Sequence, residues 1–318
     1  MRAMVISRFG GPEVFAVRDV GQPRCGASEV LVRVVCSGTN PVEAKLRQDG
    51  SWAGLTPPLV LGYDVSGVVE AVGEDVSEFK PGDQVYYTPE IFGNLLGSYA
   101  EYNVAPARII APKPRNLSHE QAAAVPLAGG TAWEAIVRRL RVRPGETVLI
   151  HGGAGGVGSF AVQIAKAAGA RVLASAGTGN QDVLRQLGAD VAIDYSKEDP
   201  IDAALRATEQ AGVDAVFSTV AGTAIGDSIS AAKPFGRLAT VLAPGGDLSG
   251  LYPKNLTLYG IFLTRESERL HEMTRLIEQG GMQPLVERVL PLEQVRQAHE
   301  RLDSGHGTGK IVLRVSEG

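Results

Sequence analysis

Residues 147–158 read TVLIHGGAGGVG. The opening TVLIHG is a continuous apolar run, as in a strand buried on both faces of a parallel sheet. Gly153, Gly155 and Gly158 then fit G-x-G-x-x-G, and the chain continues as GSFAVQIAKAAGA, an amphipathic helix ended by Gly169. In a chain with 39 glycines the motif alone says little. Placed between a strand and a helix it becomes informative. Glycine at the first positions permits the turn and lets backbone amides approach a pyrophosphate, and Gly158 lets the helix pack close to the strand. The helix N-terminus adds partial positive charge for phosphates. Gly153, Ala154, Gly155, Gly156, Val157 and Gly158 are thus a candidate phosphate cradle; the alternative is a glycine-rich turn with no ligand.

Moving outward, strands and helices alternate. RVLASA (171–176), VAIDY (191–195), AVFSTV (215–220), GRLATVL (236–242) and NLTLYGIFL (255–263) read as strands. QDVLRQLGA, DPIDAALRATEQAG and TAIGDSISAA read as the helices between them. Strict alternation predicts a doubly wound parallel sheet, and six strands are what a dinucleotide-binding fold needs.

The stretch before this one follows a different period. VLVRVVCSG, LVLGYDVSGVVEAVG and DQVYYTP alternate apolar and polar residues between Gly, Pro and Asp, which predicts short antiparallel strands. Pro112 and Pro114 exclude a regular central strand there. Ser118 and Gln121 have capping-box spacing at the start of HEQAAAVPLAGG. After the parallel region come a helix from about Glu266 to Gly280, the segment PLVERVLPLEQVRQAHERLDSG and a closing strand KIVLRV. That third stretch is small to stand alone and is expected to complete the first. The predicted organisation is α/β: a mostly-β catalytic domain from 1–118 and 266–318, and a Rossmann dinucleotide-binding domain over 119–265.

Composition narrows the partners. The net charge of −4 offers no large positive field for nucleic acid. No apolar run is long enough to cross a bilayer, and MRAMVISRFGGPEVF has no signal-peptide core or cleavage site. Two cysteines, Cys25 and Cys36, fit a reducing cytoplasm. Between Gly158 and Asp182 there is no acidic residue, where an NAD site carries one for the ribose hydroxyls. Ser175, Thr178 and Asn180 offer neutral donors instead, which favours NADPH. Arg185 and Lys197 are as readily solvated surface charges.

FGGPEVF, VVCSGTNPVEAKLR, LGYDVSGVVEAVGEDVSEFKPGDQVY and HGGAGGVGSFAVQIAK together resemble the medium-chain dehydrogenase/reductase superfamily, and within it the zinc-independent, zeta-crystallin-like quinone oxidoreductases. The resemblance runs through nearly the whole chain. It implies a GroES-like catalytic domain, a Rossmann domain and a homodimer. It sets Asn40, Tyr63 and Leu127 where zinc relatives carry metal ligands, and none of the three is a thiolate or an imidazole. No metal site is expected. The resemblance also implies Asn40, Tyr63 and Thr131 near nicotinamide and substrate, Tyr195 near the adenosine phosphate, and Val220–Ala221 beside the nicotinamide; Lys310 is counted with the cofactor residues. Relatives often carry Lys or Arg near Gln181, so this position departs from them.

A quinone or enone already accepts a hydride readily. It needs only a donor for the oxygen that turns negative. Asn40 and Tyr63 are the candidate catalytic donors, with the Tyr86–Tyr87 pair behind them. Alternation on a strand lets at most one of that pair face a site. Asn40 as a cap and Tyr63 as a sheet residue are the plain alternatives. Cys36 reads as a small core residue, and His151 as satisfying the strand end. Trp52 and IFGNLLGSY read as shaping an apolar substrate pocket. The expected activity is zinc-free hydride transfer from NADPH to a quinone, with the cofactor in a cleft at the carboxyl ends of the parallel strands. The alternatives are C=C reduction of α,β-unsaturated aldehydes or ketones, and non-catalytic NADPH binding.

Overall fold

The structure, a computed structural model, describes residues 1–317; Gly318, the last residue of the expected 266–318 segment, lies outside them. The chain forms two compact units. One comprises 1–128, 264–278 and 284 onward; the other comprises 129–263 and 279–283.

The second unit holds a six-stranded sheet, parallel throughout. Its strands are Thr147–His151, Arg171–Ala176, Val191–Asp194, Val213–Ser218, Ala232–Thr240 and Thr257–Gly260. Numbered in that order, they lie 3-2-1-4-5-6 across the sheet. The chain therefore reverses direction at the first strand, and such switch points are where open α/β sheets bind ligands. Val148, Leu149 and Ile150 have no exposed surface, which is why that strand is apolar without alternation. Each contributes about 1.5–3 kcal/mol by burial. Leu149, Leu173, Val216 and Leu238 from four neighbouring strands meet in one cluster.

The first unit is mostly antiparallel. Glu29–Gly38 is its spine, pairing antiparallel with Val65–Val72, Tyr102–Pro106 and the closing strand Lys310–Arg314. Val65–Val72 then pairs with Gln84–Tyr87, and the two-residue strand Ala111–Pro112 ends the sheet. Pro112 lacks an N–H and is tolerated at this edge. A smaller sheet joins Phe15–Asp19, Arg2–Ile6 and Leu59–Val60. The helix His119–Ala123 starts with the Ser118/Gln121 capping box, and Ser267–Glu278 is the helix expected near Glu266–Gly280. Among the described residues no helix is long and apolar enough to cross a membrane.

Candidate active site

The glycine turn explains itself residue by residue. Gly152, one position before the motif, has φ +74° and makes the reversal after the strand. A side chain on Gly153 would meet Leu184 at 2.8 Å and Ala174 at 2.9 Å. One on Gly158 would strike the carbonyl oxygen of Gly152 at 2.0 Å. Those two glycines let helix and strand approach. Gly155 is different: a Cβ there would meet only Gly152 O, at an ordinary 3.4 Å. Apart from its chain neighbours, no other heavy atom of the described residues lies within 4 Å of such a Cβ. Gly155 caps the helix Gly156–Ala167, whose first N–H groups have no partner within the helix. Gly155, Gly156 and Val157 are partly exposed, whereas Gly153 and Ala154 are buried. The Gly153 and Gly155 N–H groups bond Ser175 O and Gly152 O, so what fits a diphosphate is the start of the helix: the N–H groups of Gly156 and Val157, no Cβ on Gly155 beside them, and the positive helix end behind.

The neighbouring strand ends supply hydroxyls. Ser175 is buried, with Oγ 3.3 Å from His151 Nδ1. His151 Nε2 lies 2.8 Å from Ser228 Oγ, and burial holds the ring down to about 4, so it is neutral. Thr178 is exposed, and its hydroxyl helps hold the Asp194 carboxyl below the usual range. Tyr195 is half exposed, with its hydroxyl against Gly177. Gln181 turns inward, its amide donating to the carbonyls of Ala176, Gly177 and Ile193. Val220 and Ala221 are exposed on the loop after the fourth strand. Thr131 is buried on the helix Pro126–Trp133.

In the first unit, Asn40 ends the spine strand's overhang and caps the helix Pro41–Gln48. Its side chain is fully engaged. Nδ2 donates to Asp64 Oδ2 at 2.8 Å and to Glu43 Oε1 at 3.3 Å, while Oδ1 accepts from Lys310 Nζ. Lys310 is 4% exposed, and its three protons point at Asn40 Oδ1, Thr39 O (2.7 Å) and Asp64 Oδ2 (3.2 Å). The Leu127 N–H donates to Asp64 Oδ1 at 2.7 Å. Asn40, Asp64, Leu127 and Lys310 thus form one buried knot whose cation is an ammonium. Among the described residues, no three His, Cys, Asp or Glu side chains are grouped to hold a metal ion.

Tyr63 stands apart from that knot. Its N–H donates to Glu43 Oε1 at 2.9 Å, and its ring is fully buried. Its hydroxyl, however, has no hydrogen-bond partner among the described residues. Burial first, and the Glu43 carboxyl second, push the phenol above its ordinary value. It remains a neutral O–H. The other tyrosine candidates are spent: Tyr86 donates to Leu270 O at 2.7 Å, and Tyr87 to Asn103 Oδ1 at 2.8 Å. Cys36 is wholly buried, and its thiol is pushed up to about 12, chiefly by burial. Trp52 and Phe92 meet edge to face at 6.2 Å, both half exposed.

Glu43 and its partners Tyr99, His299 and Arg47 were not among the sequence candidates. One signal was present: Asn40-Pro41-Val42-Glu43 has capping-box spacing, with proline at the first helical position. Nothing local marks the other three.

Residues 26–115 match the alcohol dehydrogenase GroES-like domain family, and residues 187–313 the zinc-binding dehydrogenase family. The chain is 33% identical to human quinone oxidoreductase, covering 98% of this chain and 97% of the relative. It is 36% identical to the Arabidopsis thaliana NADPH-dependent alkenal/one oxidoreductase, chloroplastic, covering 98% and 79%. A solved structure described as an NAD-dependent alcohol dehydrogenase superposes with a TM-score of 0.94 at 36% identity, covering 99% of this chain and all of that one.

Proposed function

The chain belongs to the medium-chain dehydrogenase/reductase superfamily as a quinone oxidoreductase-like enzyme, and we propose that it reduces a quinone with NADPH, without zinc. The observation that carries this reading is the buried, unpartnered hydroxyl of Tyr63. A neutral donor in a dry site is what a quinone oxygen needs as it becomes negative. One such donor is worth about 10²–10³ in rate.

When bound, the nicotinamide supplies the hydride. The chain does the rest. The first N–H groups of the helix Gly156–Ala167 would hold the pyrophosphate, with Gly155 leaving room for it. The loop with Thr178 and Tyr195 would meet the adenosine ribose; its neutral hydroxyls, with no acid between Gly158 and Asp182, support NADPH. Tyr63 would donate to the substrate oxygen. Asn40 and Lys310, with their donors already used, would act by fixing the knot beside Tyr63 rather than by touching substrate. With Asn40, Tyr63 and Leu127 at the positions where zinc relatives carry ligands, this chemistry calls for a hydrogen bond and no Lewis acid. Thr257–Gly260 ends its sheet with an unpaired edge and supports a homodimer through that strand.

A second reading, C=C reduction of an α,β-unsaturated ketone or aldehyde, is favoured by the likeness to the alkenal/one oxidoreductase. It uses the same donor at the enolate oxygen. The test is oxidation of NADPH and of NADH by metal-stripped protein with 9,10-phenanthrenequinone or a short-chain enone. Faster turnover of the quinone with NADPH supports the proposal. Faster turnover of the enone selects the second reading. NADPH binding without turnover of any acceptor leaves a dinucleotide-binding protein and refutes both.

A further inference from the structure

Glu43 is wholly buried on the first turn of the helix Pro41–Gln48. Four donors converge on its carboxyl. Oε2 accepts from Tyr99 Oη at 2.5 Å and from the Asn40 backbone N–H at 2.7 Å. Oε1 accepts from the Tyr63 N–H at 2.9 Å and from Asn40 Nδ2 at 3.3 Å. The other charged and titratable groups facing it are Asp64 and Lys310, which pair with each other at 3.2 Å, the Tyr63 phenol, and His299 behind Tyr99.

This network has a direction. Arg47 carries donors only, and its Nη1 lies 3.1 Å from His299 Nδ1. That ring nitrogen must accept, so the ring proton sits on Nε2. Nε2 lies 3.2 Å from Tyr99 Oη and donates to it; Tyr99 in turn donates to Glu43. Arg47 is itself anchored by Gly10 O at 3.0 Å and Asp303 Oδ2 at 2.7 Å. Every donor in the series points one way, and the series ends on Glu43. A proton on Oε2 would turn the Tyr99 hydroxyl back onto His299 Nε2. The ring proton would then move to Nδ1, facing the guanidinium. The arrangement therefore resists protonation of Glu43.

We propose that Glu43 is a positioning residue of the reductase site, whose carboxylate grips Tyr63 through its backbone and Asn40 through both its N–H groups, and that the site is competent only while Glu43 is ionised. This rests on the reading of Tyr63 as the oxygen donor. Burial works against the network and pushes the carboxyl up to about 7. Competence is thus present above that midpoint and lost as pH falls through it.

The test compares the pH dependence of kcat/KM for 9,10-phenanthrenequinone, at saturating NADPH, in the wild type, Tyr99→Phe and Glu43→Gln. The wild type shows an acid limb with a midpoint near 7. Tyr99→Phe keeps the ring and removes one donor, so the midpoint rises by about one to two pH units. Glu43→Gln loses the limb and lowers kcat by roughly 10²-fold through misplacement of the donor, with KM for NADPH unchanged. A limb that stays at the wild-type midpoint in Tyr99→Phe overturns the proposal. If the wild type reduces no acceptor at any pH, the functional reading fails instead. Infrared difference spectra of the wild type against Glu43→Gln then decide the state of Glu43: a carboxylate whose midpoint moves in Tyr99→Phe sustains the network, and a carboxyl that keeps its proton into the alkaline range overturns it.

Discussion

Tyr63→Phe separates a catalytic hydroxyl from a structural one, because the structure gives the two roles opposite signatures. The ring is fully buried and its hydroxyl has no partner. Burying a hydroxyl without a hydrogen bond costs about 1–3 kcal/mol. Removing it while keeping the ring leaves packing intact and removes that penalty, so Tyr63→Phe is as stable as the wild type or more stable by up to about that amount. A tyrosine whose hydroxyl held the fold together would instead lose stability. Activity moves the other way. Loss of a single donor to a developing oxyanion lowers kcat by about 10²–10³, or roughly 2.7–4 kcal/mol of barrier. The assay is paired: chemical denaturation of the apoprotein, and steady-state reduction of 9,10-phenanthrenequinone at saturating NADPH. The expected result is a denaturation midpoint equal to or above wild type with kcat down at least a hundredfold. A variant that is less stable and fully active refutes the donor assignment; one that is stable and fully active shows that the substrate oxygen is held elsewhere.

Gly155→Val leaves apoprotein stability unchanged, since its Cβ has room, and weakens NADPH binding measured by fluorescence titration. Gly158→Ala, whose Cβ would sit 2.0 Å from a backbone oxygen, lowers stability as well as affinity. Tyr195→Phe lowers kcat/KM with NADPH by roughly 10–100-fold, the worth of a hydrogen bond to a charged group, and leaves NADH unaffected; equal loss with both cofactors removes Tyr195 from phosphate recognition. Burial holds His151 near 4 and, with Arg47 beside it, His299 near 3. Both bind protons more readily unfolded than folded. Glu43, pushed up to about 7, favours the fold as it takes up its proton, while the contribution of the two histidines is complete above their unfolded value of about 6.5. Below it, stability falls by up to about 1.4 kcal/mol per pH unit for each histidine, which urea midpoints measured from neutral to acid pH will show.

The parallel sheet was legible because each strand is a short apolar run bounded by Gly, Asn or Asp, and because the helices between carry the 3.6 period. TVLIH and AVFS need no partner to be recognised as strands buried on both faces. The glycine motif was legible for the same reason, although the residue that turns the chain is Gly152, which the motif does not include. The antiparallel unit was readable as strands but not as a sheet. Its spine pairs with a strand some 270 residues later, as the Thr39 bond to Ile311 shows, and no local pattern encodes that meeting. The donors followed the same division. Strand alternation allowed one of Tyr86 and Tyr87 to face a site; in the fold both phenols find internal partners on Leu270 and Asn103. The Arg47–His299–Tyr99–Glu43 series links positions 56 to 252 residues apart, so it exists only once the chain has folded.

That separation bears on how the site is built. In the knot around Asn40, Lys310 faces Asp64, and at the far end of the donor series Arg47 faces Asp303. Each buried cation has its own carboxylate, so neither is free to neutralise Glu43. The four donors bonded to Glu43 are all neutral, with Lys310 lowering its carboxyl only through space, and a buried anion with no cation bonded to it is more sensitive to the loss of one donor than a directly paired one. The residues that set its charge, Tyr99 and His299, lie on different elements from the two it grips. Substituting His299 by Phe would keep a ring edge to face with Phe15, which His299 meets at 4.6 Å, but would leave Tyr99 free to turn from Glu43 and Arg47 without its acceptor. The expected consequence is an acid limb shifted in the same direction as in Tyr99→Phe, with a loss of stability that Tyr99→Phe does not share. An acid limb unmoved by either substitution would mean that the donor series packs the unit together and does not tune its chemistry.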